Sequence, residues 1–247
     1  MHLKVTPNVG VRYWTAILIA SMCGTNLGDI LQDVLKIGTG SGLVMLALMF
    51  ALLMAAERIA TRASEAYYWL AILLVRAAAT NIADFSIGRL HLRYLEAIAA
   101  LALTFSAVLL LQHRRRQKLT KHALPTTDAF YWLTMLIAGS LGTVAGDATG
   151  HAFGAVQVGV PISTAIATVV LALILTARTR VVGLSATSYW FAVVAVRWWG
   201  TNVGDMSAHF LSLIPSAALT LSALTILLLT WRAPAAGAMA PARSYRA

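Results

Sequence analysis

Four carboxylates recur at one spacing in an otherwise apolar chain. Asp29, Asp84, Asp147 and Asp205 each lie fifteen residues after a tryptophan: Trp14, Trp69, Trp132 and Trp190. The residues leading into each also repeat: Gly24-Thr25-Asn26-Leu27-Gly28-Asp29, Ala79-Thr80-Asn81-Ile82-Ala83-Asp84, Gly142-Thr143-Val144-Ala145-Gly146-Asp147 and Gly200-Thr201-Asn202-Val203-Gly204-Asp205. A carboxylate inside a bilayer is costly, and its default reading is functional. Four at a common depth point to cation binding or proton exchange.

The neighbours extend that chemistry. Thr25, Thr80, Thr143 and Thr201 stand four residues before the Asp; Asn26, Asn81 and Asn202 stand three before, with Val144 breaking the series. On a helix they share a face with the carboxylate, giving a patch of carboxylate, hydroxyl and amide oxygens. Four residues after the Asp come Asp33, Gly88, His151 and His209. Asp147 with His151, and Asp205 with His209, have a spacing that lets two side chains hold one ion. Asp33, His151 and His209 are therefore candidate metal ligands. Carboxylate with imidazole suits Mn, Co, Ni or Zn, and all-oxygen sites suit Mg or Ca. The plainer reading of such a histidine is a polar residue reaching for the membrane surface.

Arg76 and Arg197 precede Asp84 and Asp205 by eight residues. They fall near mid-membrane and should face inward, pairing with carboxylates and tuning their charge. Two Arg against four Asp leave −2 if all ionise, which favours a cation. If each Arg neutralises one Asp, Asp29 and Asp147 are the working pair. If the Arg face a cavity unpaired, an anionic substrate comes into view. A polar network that merely staples the helices remains the structural alternative.

The elements that position these groups are legible in the composition. Of 247 residues, 59% are hydrophobic and 11% charged, the profile of a polytopic membrane protein. Apolar stretches at 12–36, 40–57, 67–90, 94–112, 129–152, 159–177, 188–211 and 214–231 each approach the length of a membrane span. The expected fold is all-α: eight transmembrane helices in four tandem, parallel two-helix repeats, forming a pseudo-twofold or pseudo-fourfold bundle. Repeats one and three share Leu-Ile-Ala (18–20 and 136–138), and repeats two and four share Val-Arg (75–76 and 196–197). The chain thus divides into a first half (1–112), a basic linker (113–128), a second half (129–232) and a tail (233–247) expected to be disordered.

Gly24 with Gly28, Gly142 with Gly146 and Gly200 with Gly204 are small residues four apart, and Ala79 with Ala83 is the fourth such pair. Such pairs let helix backbones approach closely; alternatively they loosen a helix and free carbonyls as ligands. The Tyr-Trp pairs that open each repeat read as interfacial anchors. The lone Cys23 excludes an intramolecular disulfide and reads as a packing residue.

Of 19 Lys and Arg, 14 fall in the tails and the loops between repeats. This puts both termini in the cytoplasm. It also explains the +10 net charge without nucleic acid; the basic run at 114–121 favours anionic lipid. The N-terminus lacks a cleaved-signal pattern, so the first span should act as its own signal.

The repeated Tyr-Trp … Gly-Thr-x-x-Gly-Asp hairpin resembles a bacterial family of membrane proteins built from four tandem two-helix repeats, a repeat of unknown function titled membrane-anchored protein. The resemblance covers residues 12–231 and implies an eight-helix inner-membrane protein. It supplies no activity. From the residues, the expected function is cation transport, with a divalent metal ion carried against protons as the leading form. A pseudo-tetrameric channel with an Asp ring, or a non-transporting scaffold or sensor, are the alternatives. No nucleophile arrangement, phosphate loop or Cys pair suggests an enzyme. No tightly bound cofactor is expected, a divalent metal entering as substrate only. The expected partners are the lipid bilayer, cations and protons, with a homodimer among the allowed assemblies.

Overall fold

A computed structural model describes residues 3–114, 124–180 and 186–231. The tail 233–247 and most of the basic linker lie outside them. Among the described residues there are eight helices and no strands: α1 (Val11–Asp29), α2 (Thr39–Ile59), α3 (Ala66–Asp84), α4 (Tyr94–Arg114), α5 (Ala129–Ala152), α6 (Val156–Arg180), α7 (Ala186–Leu211) and α8 (Leu213–Thr230). They occupy the eight expected stretches. Seven are long and apolar enough to cross a membrane; α7, which carries Arg197, Asp205 and His209, is not among the seven.

The odd helices form an inner ring: α1 packs on α3, α3 on α5, α5 on α7, and α7 back on α1. The even helices stand outside it. Helix α2 leans on α3, α4 on α5, α6 mainly on α7, and α8 mainly on α1. Each hairpin therefore lends its second helix to the next repeat, and α8 closes the last repeat onto the first. Between 50% and 67% of α1, α3 and α5 is buried, against 17–28% of the even helices. The even helices turn Leu48, Leu52, Leu103, Val169, Leu173 and Leu229 outward, as lipid-facing helices do.

The small residues set the ring's spacing. A Cβ on Gly24 would stand 2.5 Å from Cγ of Arg76, and one on Gly142 2.5 Å from Cβ of Arg197. At the same level, a Cβ on Gly200 would collide with Ser21, and one on Gly139 would come within 2.7 Å of Ala79. Close backbone approach is thus the role of these residues, and the ring could not close around a larger side chain. Where an Arg enters from one helix, the preceding odd helix supplies a Gly.

The two halves end differently at the Asp level. In the first half α1 and α3 run past their Asp into single π-helical turns, Ile30–Val34 and Phe85–Arg89. These close through i to i−5 hydrogen bonds, Leu35 N–H to Ile30 O (2.9 Å) and Leu90 N–H to Phe85 O (3.0 Å). Lys36 (φ 55°) and His91 (φ 54°) then stop the helices in the left-handed region. In the second half α5 and α7 continue as α-helix beyond Asp147 and Asp205.

Candidate functional site

Along the inside of the ring the polar side chains lie in layers. The first is a closed ring of four phenols. Tyr13 hydrogen-bonds to Tyr68 (3.0 Å) and Tyr189 (2.6 Å), and Tyr131 bonds to Tyr68 (2.7 Å) and Tyr189 (3.1 Å). All four are buried. Each Trp of the motif packs edge-on against its own Tyr and tilted against the Tyr of the preceding odd helix: Trp69 on Tyr13, Trp132 on Tyr68, Trp190 on Tyr131 and Trp14 on Tyr189. The tyrosines are therefore not interfacial anchors. Their apolar bodies pack inside the bundle, and the hydroxyls satisfy one another where water is excluded.

The two arginines come next, both fully buried and facing inward as expected. Neither pairs with a carboxylate: among the described residues the ion pairs are Arg12–Glu65 and Arg93–Glu96. Arg76 is held by hydroxyls instead. Its Nη1 donates to Thr80 (3.1 Å) and Thr143 (2.6 Å), its Nη2 to Thr25 (2.6 Å) and Thr201 (2.7 Å), and its Nε to Ser21 (3.2 Å). All five N–H donors of the guanidinium are used. Each threonine donates its own proton back to the carbonyl four residues earlier, on Ser21, Arg76, Gly139 or Arg197. That back-bonding turns oxygen lone pairs toward the cation. The repeated Thr is thus a guanidinium cradle built by all four odd helices.

Arg197 extends the other way. Its Nη2 lies 3.3 Å from the sulfur of Met135, one turn after Tyr131, and the four phenols are its electrostatic neighbours. Its Nε and Nη1 have no hydrogen-bond partner among the described residues.

The carboxylates form the last layer. Asp29, Asp84, Asp147 and Asp205 are half-buried. They act electrostatically on one another and share Arg76 as a nearby cation. Gln32, in the π-helical turn after Asp29, donates to both Asp84 and Asn81. No described residue donates a hydrogen bond to the carboxylates of Asp29, Asp147 or Asp205. Beside Asp84 and Asp147 opens a cavity of about 570 Å³, which Asp33, Tyr94, Ile37 and Ile87 also line. Its walls come from the two π-helical turns, the starts of α2 and α4, and α5.

Other expected site residues lie elsewhere. Asn26 and Asn202 face outward from the ring and donate to Ser216 of α8 and Ser163 of α6, each at 2.7 Å. Asn81 accepts from Gln32 and faces Gly42 of α2. At the corresponding position of α5, Val144 lies in an apolar cluster with Ala83 and with Ala97 of α4, so the break in the Asn series falls in apolar surroundings. Asn26 and Asn202 tie inner helices to outer ones, one residue of helical offset away from the Thr, whereas Asn81 shares the Gln32 amide with Asp84. His151 and His209 are exposed. His151 bonds the Asp147 carbonyl through Nδ1 (2.7 Å) and stacks on Tyr94, while His209 packs on Phe210. Asp33 is exposed at the cavity. Among the described residues no three His, Cys, Asp or Glu side chains come together as a metal site.

The tyrosine ring does not stand out as a site in the sequence, and the four threonines read there as ligands of an ion, not as a cradle for Arg76. The available signal is their register: Tyr, Thr and Asp stand 12 and 4 residues apart in every repeat, multiples of four that follow one winding i±4n ridge of the helix.

Residues 12–63 match the family model described as Repeat of Unknown Function (DUF347). That segment holds α1, its π-helical turn and α2, and the family resemblance read from the motifs is borne out there. Comparison with curated proteins and with solved structures found no match.

Proposed function

We propose that the protein is a cation transporter of the bacterial inner membrane, coupled to protons and working as a carrier. In this reading α7 spans with the other seven helices, because it closes the ring between α1 and α5. The four repeats then surround a pseudo-fourfold axis, both termini lie in the cytoplasm, and the carboxylates open to the opposite side.

The observation that carries the reading is the layer of four half-buried carboxylates, three of them free of hydrogen-bond donors, above one saturated guanidinium. Such groups attract a cation and can exchange it for protons. The same axis favours a carrier over a channel. The Arg76 cradle and the phenol ring block straight passage, so a substrate must wait for a rearrangement. The divalent-metal form rests on carboxylates alone, since His151 is engaged by the Asp147 carbonyl and His209 is exposed against Phe210.

Purified protein in liposomes, loaded with a pH dye and a manganese-sensitive dye, tests this. Saturable cation uptake with counter-movement of protons, lost in Asp147→Asn and Asp29→Asn, is the expected result. Unitary currents would favour the Asp-ring channel. Absence of flux in folded wild-type protein would leave a scaffold or sensor.

A further inference from the structure

We infer that the cavity beside Asp84 and Asp147 binds a small organic monocation, a primary ammonium or guanidinium with a short apolar tail. Its size is the first reason. About 570 Å³ exceeds what a bare ion needs and falls in the range of small-molecule pockets, about 300–1,000 Å³.

The lining is the second. At the inner end Asp147 has no donor, and Asp84 is bound by Gln32 through one oxygen, Oδ2. A cationic head placed between them would donate a charge-assisted hydrogen bond to each carboxylate. Along the wall the Tyr94 ring, braced by the His151 ring at 5.7 Å, and the side chains of Ile37 and Ile87 offer an aromatic and aliphatic surface. A bare metal ion gains nothing from such a wall, whereas an alkyl tail buries against it and the cation gains from the aromatic face.

The third is the rim. Lys36 and Arg89 are exposed there. They outnumber Asp33, the one exposed carboxylate of the lining, and so oppose a second positive charge; a monocation should bind better than a dication of equal length. The fourth reason is Arg76 itself: the neighbouring layer already accommodates an alkyl guanidinium. The first half builds the cavity's turns: both π-helical segments contribute, and the described residues of the second half have none. Such turns recur at functional sites.

The inference deepens the carrier reading by naming its substrate class, and it rests on that reading only for the transport step, not for binding. The test is calorimetric titration of full-length protein in nanodiscs with n-butylammonium, n-butylguanidinium, 1,4-diaminobutane and Mn²⁺. Expected is saturable one-site binding of the two monocations, with weaker binding of the diamine. Asp147→Asn should weaken n-butylammonium about tenfold or more. Tyr94→Leu should weaken n-butylammonium more than methylammonium, and Glu96→Gln, an exposed charge outside the cavity, should leave both unchanged. Tryptophan emission and elution volume establish that each variant is folded. No monocation binding to folded wild type, or equal loss in Asp147→Asn and Glu96→Gln, overturns the assignment. Monocation binding without flux would sink the carrier reading and leave the site; Mn²⁺ and proton flux without monocation binding would do the reverse.

Discussion

Arg76 and Arg197 start from the same level of opposite inner helices and meet different surroundings. Arg76 points toward the carboxylates and uses every N–H on five hydroxyls from four helices. Arg197 points toward the phenols, where a sulfur takes one bond and two nitrogens are unpartnered. A buried guanidinium with all donors satisfied organises its surroundings, while one with orphaned donors carries an uncompensated desolvation cost. The duplicated Val-Arg motif has thus been put to two uses. One arginine knots the ring together and offsets the Asp charges. The other is retained despite poor bonding, so its contribution to folding should be small.

Substitutions that remove one layer at a time can undo this contrast. The largest effect is expected from Arg76→Met. Loss of five charge-assisted bonds and of the cation beneath four carboxylates should lower unfolding stability by about 2–4 kcal/mol. Thermal unfolding in detergent, followed by tryptophan emission, reads it. Arg76→Lys, with fewer donors for the same four threonines, should fall between.

Next comes Gly142→Ala. The added Cβ would stand 2.5 Å from Cβ of Arg197 and 2.8 Å from the Trp198 backbone nitrogen, so backbone must move. Overpacking of this kind costs about 1–3 kcal/mol. Gly38→Ala, whose nearest neighbour would be Ser41 Oγ at 3.6 Å, is the matched control and should be nearly neutral in sterics.

Tyr68→Phe removes one hydroxyl from the phenol ring and opens two of its four links. About 1 kcal/mol is expected, measured in the same unfolding assay; a drop as large as that of Arg76→Met would show that the phenol layer, not the cradle, is the main tie. Arg197→Met should give the smallest change, within about 1 kcal/mol of wild type in either direction, since an apolar isostere often matches a poorly bonded buried charge. Equal losses for Arg76→Met and Arg197→Met would erase the contrast between them.

Much of this fold is legible in the sequence. Apolar stretches mark the eight helices, and paired small residues mark where inner helices touch. The constant spacing of Trp, Thr and Asp places the carboxylates in one layer. The sites are less legible. Sequence spacing predicts that Arg76 pairs with carboxylates, but ring packing brings it to hydroxyls on three other helices, a choice spacing cannot encode. Asn26 and Asn202 sit one residue from the Thr stripe, and that turn of about 100° around the helix sends them to Ser216 and Ser163 on the outer helices. The tyrosines read as lipid anchors because a Tyr at a helix start is usually one; only ring closure reveals that the four hydroxyls face each other.

Helical rise and bilayer cost act on each segment alone. The amino-acid order therefore suffices to specify a chain of apolar helices with costly polar groups repeated at a common depth. Which polar group meets which was settled only by tertiary packing. The cradle takes one threonine from each inner helix, the cavity needs two π-helical turns side by side, and each outer helix leans on the next repeat. These contacts join segments 50 or more residues apart, and they come into being only when the ring closes.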